Sequence, residues 1–178
     1  MIKPIGSKFS LTDERLNEYN SFVDDLFNNE VVQQMKNYIQ HGNTTTFEHC
    51  VNVSYYNYLL CKKFSLDARA GARGGMLHDL FLYDWHTYKG ENGFHGSYHP
   101  KLALNNALKN FTISDLESEI IEKHMFPLTL SLPKHKETYV IILVDKYCGL
   151  LETVLFRAQI IHHGFTKVKE SVKKVFAN

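Results

Sequence analysis

The stretch Tyr139-Val140-Ile141-Ile142-Leu143-Val144, continued by Asp145-Lys146-Tyr147-Cys148-Gly149-Leu150-Leu151-Glu152-Thr153-Val154-Leu155, decides the fold class. Its β-branched opening suits a buried strand. The apolar pattern nevertheless runs on through Tyr147, Leu150, Leu151, Val154 and Leu155 without a break, which is too long for one strand. The stretch is therefore expected to form a buried helix. With that reading no convincing pair of strands remains elsewhere, and the expected fold class is all-α.

Working outward, the periodicity is helical nearly throughout. Ser10 with Asp13 resembles a capping box ahead of Leu16, Tyr19, Val23 and Leu26. A short second helix is expected to carry Val31, Val32, Met35 and Ile39 and to end before Gly42. Thr44-Thr45-Thr46 supplies N-cap candidates for a helix from about Phe47 to Phe64, and Asp67 for the next, through Met76 to His78-Asp79. Residues 84–98, with Gly90, Gly93 and Gly96, read as a loop. The helical pattern is expected to resume at His99-Pro100, with the proline in a first turn. Ser114 and Glu117 make a further capping box for a helix reaching His124. Pro127 and Pro133 bracket a loop. A separate last helix over 157–177 is expected to hold Val168, Val172 and Val175, with Lys167, Lys169, Lys173 and Lys174 on a solvated face. The organisation expected is a single domain over 1–178, with a core at 46–150 and flanking helices at 10–41 and 157–177.

Bulk composition narrows the class. The 178 residues are 44% hydrophobic and 22% charged, the balance of a chain that buries a core. A net charge of +1 gives no overall field favouring nucleic acid or an anionic membrane. Cys50, Cys61 and Cys148 are odd in number and lack CxxC spacing, so reduced, buried thiols are expected. No apolar run approaches the roughly 20 residues of a membrane span, and the first residues do not read as a signal peptide. The expected location is cytoplasmic.

The chemistry lies in His49, the pair His78-Asp79, His99, His124 and Asp145. Each falls in or at the end of an otherwise apolar helix. A buried carboxylate needs compensating charge, and apart from Lys146 these stretches offer little Lys or Arg. Imidazole with carboxylate suits a divalent metal.

The order H…HD…H…H…D resembles that of the HD-domain superfamily of metal-dependent phosphohydrolases. Gly74-Gly75-Met76-Leu77-His78-Asp79 is similar to its central helix end, and His99-Pro100-Lys101-Leu102-Ala103 to its HP..A element. Ile120-Ile121-Glu122-Lys123-His124 and Leu143-Val144-Asp145-Lys146 are similar to its later elements. The resemblance spans about residues 46–150. It implies a binuclear site of manganese or iron, with nickel, cobalt or zinc as other candidates. His49, His78, Asp79 and Asp145 would hold the first ion, and Asp79 would bridge to a second held by His99 and His124. His95, four residues before His99, is the alternative ligand. His99 is favoured because Pro100 would fix it at a helix start.

The implied activity is hydrolysis of a small phosphoester, such as a nucleotide, by a metal-bridging hydroxide, with His78 and Asp79 at its centre. His86, Lys89, Lys146 and Arg73 are the candidate substrate contacts, with Trp85 to stack on a base and Asp84 to orient a ligand or water. A single-metal nucleotidase, a nucleotide-binding module without turnover and a di-iron oxygenase on the same scaffold stay open. A homo-oligomer also stays open.

Overall fold

The computed structural model describes residues 13–90 and 93–176, with side chains over 14–90 and 93–162. Seven α-helices carry the architecture: α1 (Asp13–Phe27), α2 (Glu30–Gln33), α3 (Thr46–Lys63), α4 (Ala68–Leu77), α5 (His95–Asn110), α6 (Asp115–Lys123) and α7 (Lys136–Phe176). The all-α expectation holds, with one small exception among the described residues. The chain leaves α2 through a 3-10 turn (Gln34–Asn37) and forms a short antiparallel hairpin of β1 (Ile39–His41) and β2 (Thr44–Thr45). Ile39 was expected on a helix. The turn needs Gly42, whose φ is +62°, and a side chain there would also strike Phe156.

Most helix starts are where the capping residues place them. Thr45 accepts from the Glu48 amide and Glu48 reaches back to the Thr45 amide, closing a capping box on α3. Asp67 caps α4 through the Ala70 amide, and Ser114 with Glu117 closes the second box on α6. Of the expected pair Ser10–Asp13, Ser10 and the Asp13 side chain lie outside what is described. Helix α5 begins at His95, not His99, so Pro100 sits inside the helix and His99 one turn in. The two helices expected at 139–155 and 157–177 are one continuous helix of 41 residues. The valines and lysines expected on its last turns lie outside the described side chains.

Helix α3 is the central element. Its buried residues include Phe47, His49, Cys50, Val53 and Tyr58, and α4, α7 and the hairpin pack round it. Close packing of α4 depends on its glycines: a Cβ on Gly75 would come within 2.7 Å of the Ser54 Cα, and one on Gly74 would collide with Ile120. The start of α7 is tied to α6 by Glu119. Its carboxylate accepts from the Lys134 and His135 amides (2.8 and 2.9 Å) and from the Thr138 hydroxyl (3.0 Å). Burial opposes the charge, but those donors hold the Glu119 carboxyl down at about 2. This anchor sets the rotation of α7 and hence which of its faces turns inward.

Cys50, Cys61 and Cys148 are free and buried. Among the described residues, no helix is long and apolar enough to cross a membrane.

Candidate metal centre

Four elements deliver imidazoles to one buried point. His49 comes from the first turn of α3, His78 from the C-terminal end of α4, His99 from α5 and His124 from the end of α6. Asp79 follows His78, and Asp145 comes from the inward face of α7. All four imidazoles and Asp79 are at most 3% exposed.

Asp79 stands between two sets. Its Oδ2 lies 3.4 Å from His78 Nε2 and 4.0 Å from His49 Nε2. Its Oδ1 lies 3.2 Å from His99 Nε2 and 3.6 Å from His124 Nε2. Asp145 Oδ1 joins the first set, 3.1 Å from His49 Nε2 and 3.7 Å from His78 Nε2.

The outer nitrogen of every ring is fixed. His78 Nδ1 donates to the Gly75 carbonyl at 2.9 Å, His99 Nδ1 to the His95 carbonyl at 2.9 Å and His124 Nδ1 to the Ile121 carbonyl at 2.8 Å. His49 Nδ1 donates to Glu152 Oε2 at 2.9 Å. A carbonyl or carboxylate can only accept, so the proton of each neutral ring sits on Nδ1. All four Nε2 lone pairs then point at the centre, as a metal requires of its histidines. His99 Nε2 and His124 Nε2 are 2.9 Å apart. Two lone pairs at that separation repel unless a cation or proton lies between them. His78 Nε2 and Asp79 Oδ1 are buried without a hydrogen-bond partner. The donor set therefore fits divalent metal: His49, His78 and Asp79 form one group that can hold an ion, and Asp79, His99 and His124 another.

The charge balance agrees. Asp79, Asp145 and Glu152 bring three carboxylates into the interior, and among the described residues no Lys or Arg pairs with them. Burial opposes ionisation of Asp79, but His78, then His99 and His124, hold its carboxyl far below the usual range. Burial likewise opposes a charge on His49, yet Asp145 and Glu152 outweigh it and raise the imidazole to about 10. Burial, then His78 and His99, press His124 down to about 3. The carboxylates thus draw positive charge to the centre, which an ion could supply in place of protons.

Three functional neighbours were not read from the sequence. Gln40 on β1 donates to Asp79 Oδ2 at 2.6 Å and is itself oriented by the Thr46 hydroxyl at 3.2 Å. Glu152 accepts from His49 and also from Asn52 Nδ2 at 2.8 Å. His41, at the hairpin, packs edge-on to His49. Glu152 could have been found, since it lies two helical turns after Asp145 on the same face. Gln40 and His41 belong to a hairpin that gives no helical signal.

A cavity of about 450 Å³ opens onto the centre. Trp85, His95 and Lys146 are among its lining residues. The ring planes of Trp85 and His95 are 16° apart, and those of His95 and His99 are 21° apart, so a flat aromatic ladder walls one side. His95, the alternative ligand, is engaged through Nδ1 with the Tyr83 hydroxyl at 2.7 Å, while His99 reaches Asp79. Lys146 stands on the cavity wall with its Nζ donating to the Ile142 carbonyl.

His86 and Lys89 are exposed and not among the lining residues. His86 rests on Trp85 and on Asp84, which forms a local turn through the His86 amide. Arg73, expected to reach substrate, faces the other way. It is 3% exposed and contacts the Phe22 carbonyl, Asp25 and Glu117. The residue lies five positions before His78, which turns it off the metal-facing side of α4.

No family model, curated protein or solved structure matches the chain.

Proposed function

We propose that the chain is a binuclear metal-dependent phosphohydrolase of the HD-domain type, acting on a small phosphoester such as a nucleotide. The observation that carries it is the placement of Asp79, whose two oxygens face separate histidine sets. A site with only His49, His78, Asp79 and Asp145 would leave His99 and His124 without a reason to aim two lone pairs at Asp79. That favours two ions over one.

In this reading His49, His78 and Asp145 hold one ion, His99 and His124 the other, and Asp79 is shared. The bound ions would supply Lewis acidity and water of lowered pKa. The chain's own residues do the rest. Glu152 and three backbone carbonyls keep each Nε2 unprotonated and aimed. Gln40 holds the Asp79 carboxylate in one plane. Lys146, on the cavity wall, meets the charge of a phosphoryl group, and the Trp85–His95 wall accepts a flat ring. A cavity of about 450 Å³ is of ligand size.

Elemental analysis of protein purified with manganese or iron present is expected to find about two equivalents, as a two-metal hydrolase requires. Hydrolysis of a panel of nucleoside monophosphates and p-nitrophenyl phosphate should be abolished by chelation and restored by the metal. His124→Ala should lose one ion and the activity together while helicity persists. Protein that takes up no metal under these conditions would overturn the reading. So would hydrolysis that chelation leaves intact.

A further inference from the structure

The stretch of α7 from Leu143 to Ile161 presents an apolar seam to solvent. Leu143 (69% exposed), Tyr147 (53%), Leu150 (66%), Val154 (51%) and Ile161 (60%) follow one another with Arg157 at spacings that alternate four and three. That is the heptad seam of a helix meant to pack lengthwise on another helix. At about 100° per residue the seam lies roughly 160° round from Asp145. Asp145 and Glu152 turn inward to the metal centre, so the seam lies largely on the opposite side of α7, with Tyr147 at its edge packing edge-on to Tyr56 of the same chain.

A solitary exposed leucine needs no explanation, but a continuous stripe does. These side chains offer on the order of 600 Å² a side, close to the ~800 Å² per partner of a standard interface. The residue types along the seam point to a second copy of α7 as the occupant. The six positions are symmetric about residue 152. Two copies of α7 laid antiparallel pair Leu143 with Ile161, Leu150 with Val154, and Tyr147 with Arg157. Every layer is then complementary, and the guanidinium rests on an aromatic face. A parallel pairing would set Arg157 against itself inside an apolar seam.

We propose that the chain forms a two-fold dimer through an antiparallel α7 seam. The interface is isologous: Tyr147 of each copy covers Arg157 of the other. Leu150 belongs to both the seam and the rim of the cavity, so the dimer also borders the entrance to each site.

Analytical ultracentrifugation of the full chain across a wide concentration range tests this. The expected species has twice the 20.6 kDa chain mass. Val154→Glu puts a carboxylate against Leu150 of the second copy and should give a monomer, with helicity by circular dichroism and metal content retained. The direction of pairing is read from Tyr147. Tyr147→Glu faces Arg157 with an opposite charge and should keep the dimer, whereas Tyr147→Arg should dissociate it. A wild-type monomer overturns the proposal, as does a dimer that survives Val154→Glu. Equal behaviour of the two Tyr147 variants overturns the antiparallel register. None of these outcomes depends on whether the metal centre hydrolyses a phosphoester.

Discussion

Glu152→Gln isolates the role of Glu152 as the residue that orients His49. The Glu152 carboxylate is 1% exposed and accepts twice, from His49 Nδ1 at 2.9 Å and from Asn52 Nδ2 at 2.8 Å. Glutamine is nearly isosteric but has one oxygen. Either Asn52 or His49 then loses its acceptor. If the amide nitrogen turns towards His49, the imidazole must accept at Nδ1 and carry its proton on Nε2, where it can no longer bind metal. If the oxygen turns towards His49, a charge-assisted bond becomes a neutral one. That difference is about 1–2 kcal/mol, or about 5–30-fold in affinity at 1.4 kcal/mol per decade. The figure overlaps the roughly tenfold to hundredfold range for partners of metal-binding histidines. Competition with a chromophoric chelator would measure both dissociation constants for manganese. Only the ion on the His49 side should weaken, because His99 and His124 are oriented by backbone carbonyls that the substitution leaves alone. Unchanged affinities in a folded variant, or equal weakening of both ions, would refute the assignment of Glu152 as the residue that orients His49.

Arg73→Met tests the placement of that side chain away from the cavity. It leaves the buried Glu117 carboxylate without its 2.8 Å partner and should cost about 3 kcal/mol in denaturant unfolding, with metal affinity unchanged. Gly75→Ala drives a methyl towards the Ser54 backbone. It should lower stability by about 1–3 kcal/mol and, because Gly75 accepts from His78, weaken metal binding as well. Metal-free protein should be most stable near neutral pH. His49, raised to about 10, and His78, also raised, are both opposed by burial but held up by neighbouring carboxylates. Their contribution is complete below the unfolded value of about 6.5 and is lost as pH climbs towards 10. His124 and His95 are pushed down to about 3 and about 4, chiefly by burial. They take protons in the unfolded chain first, so stability also falls as pH drops below about 6.5. A thermal-melt series across pH that rises steadily in either direction would contradict this.

The helices were legible because their signals are local. Thr45 with Glu48, Asp67, and Ser114 with Glu117 each announce a start within four residues, and each start is where those residues place it. Errors arose where a local rule met a tertiary one. Pro100 reads as a first-turn residue, yet α5 extends four residues ahead of His99, with the rings of His95 and His99 stacked and His95 bonded to Tyr83. The hairpin at 39–45 was invisible for a related reason. Two strands this short carry no alternation, and what holds them is the pairing itself and the Phe156 side chain over Gly42.

The same division explains the site. His49, His78, Asp79, His99, His124 and Asp145 stood out because a charge or imidazole in an apolar helix is anomalous wherever it occurs. The groups that aim them are ordinary in sequence: the carbonyls of Gly75, His95 and Ile121, the Gln40 amide, and a glutamate among other glutamates. Three of the four imidazoles obtain their orientation from a carbonyl three or four residues earlier in the chain. His49 instead takes its acceptor from another element. Glu152 is that acceptor, and its helix also carries Asp145 two turns earlier on the same face. One rotation of α7, fixed by Glu119 at its first turn, therefore places both Asp145 and the residue that orients His49. A change at the α6–α7 contact should then disturb the His49 side of the centre before the His99–His124 side.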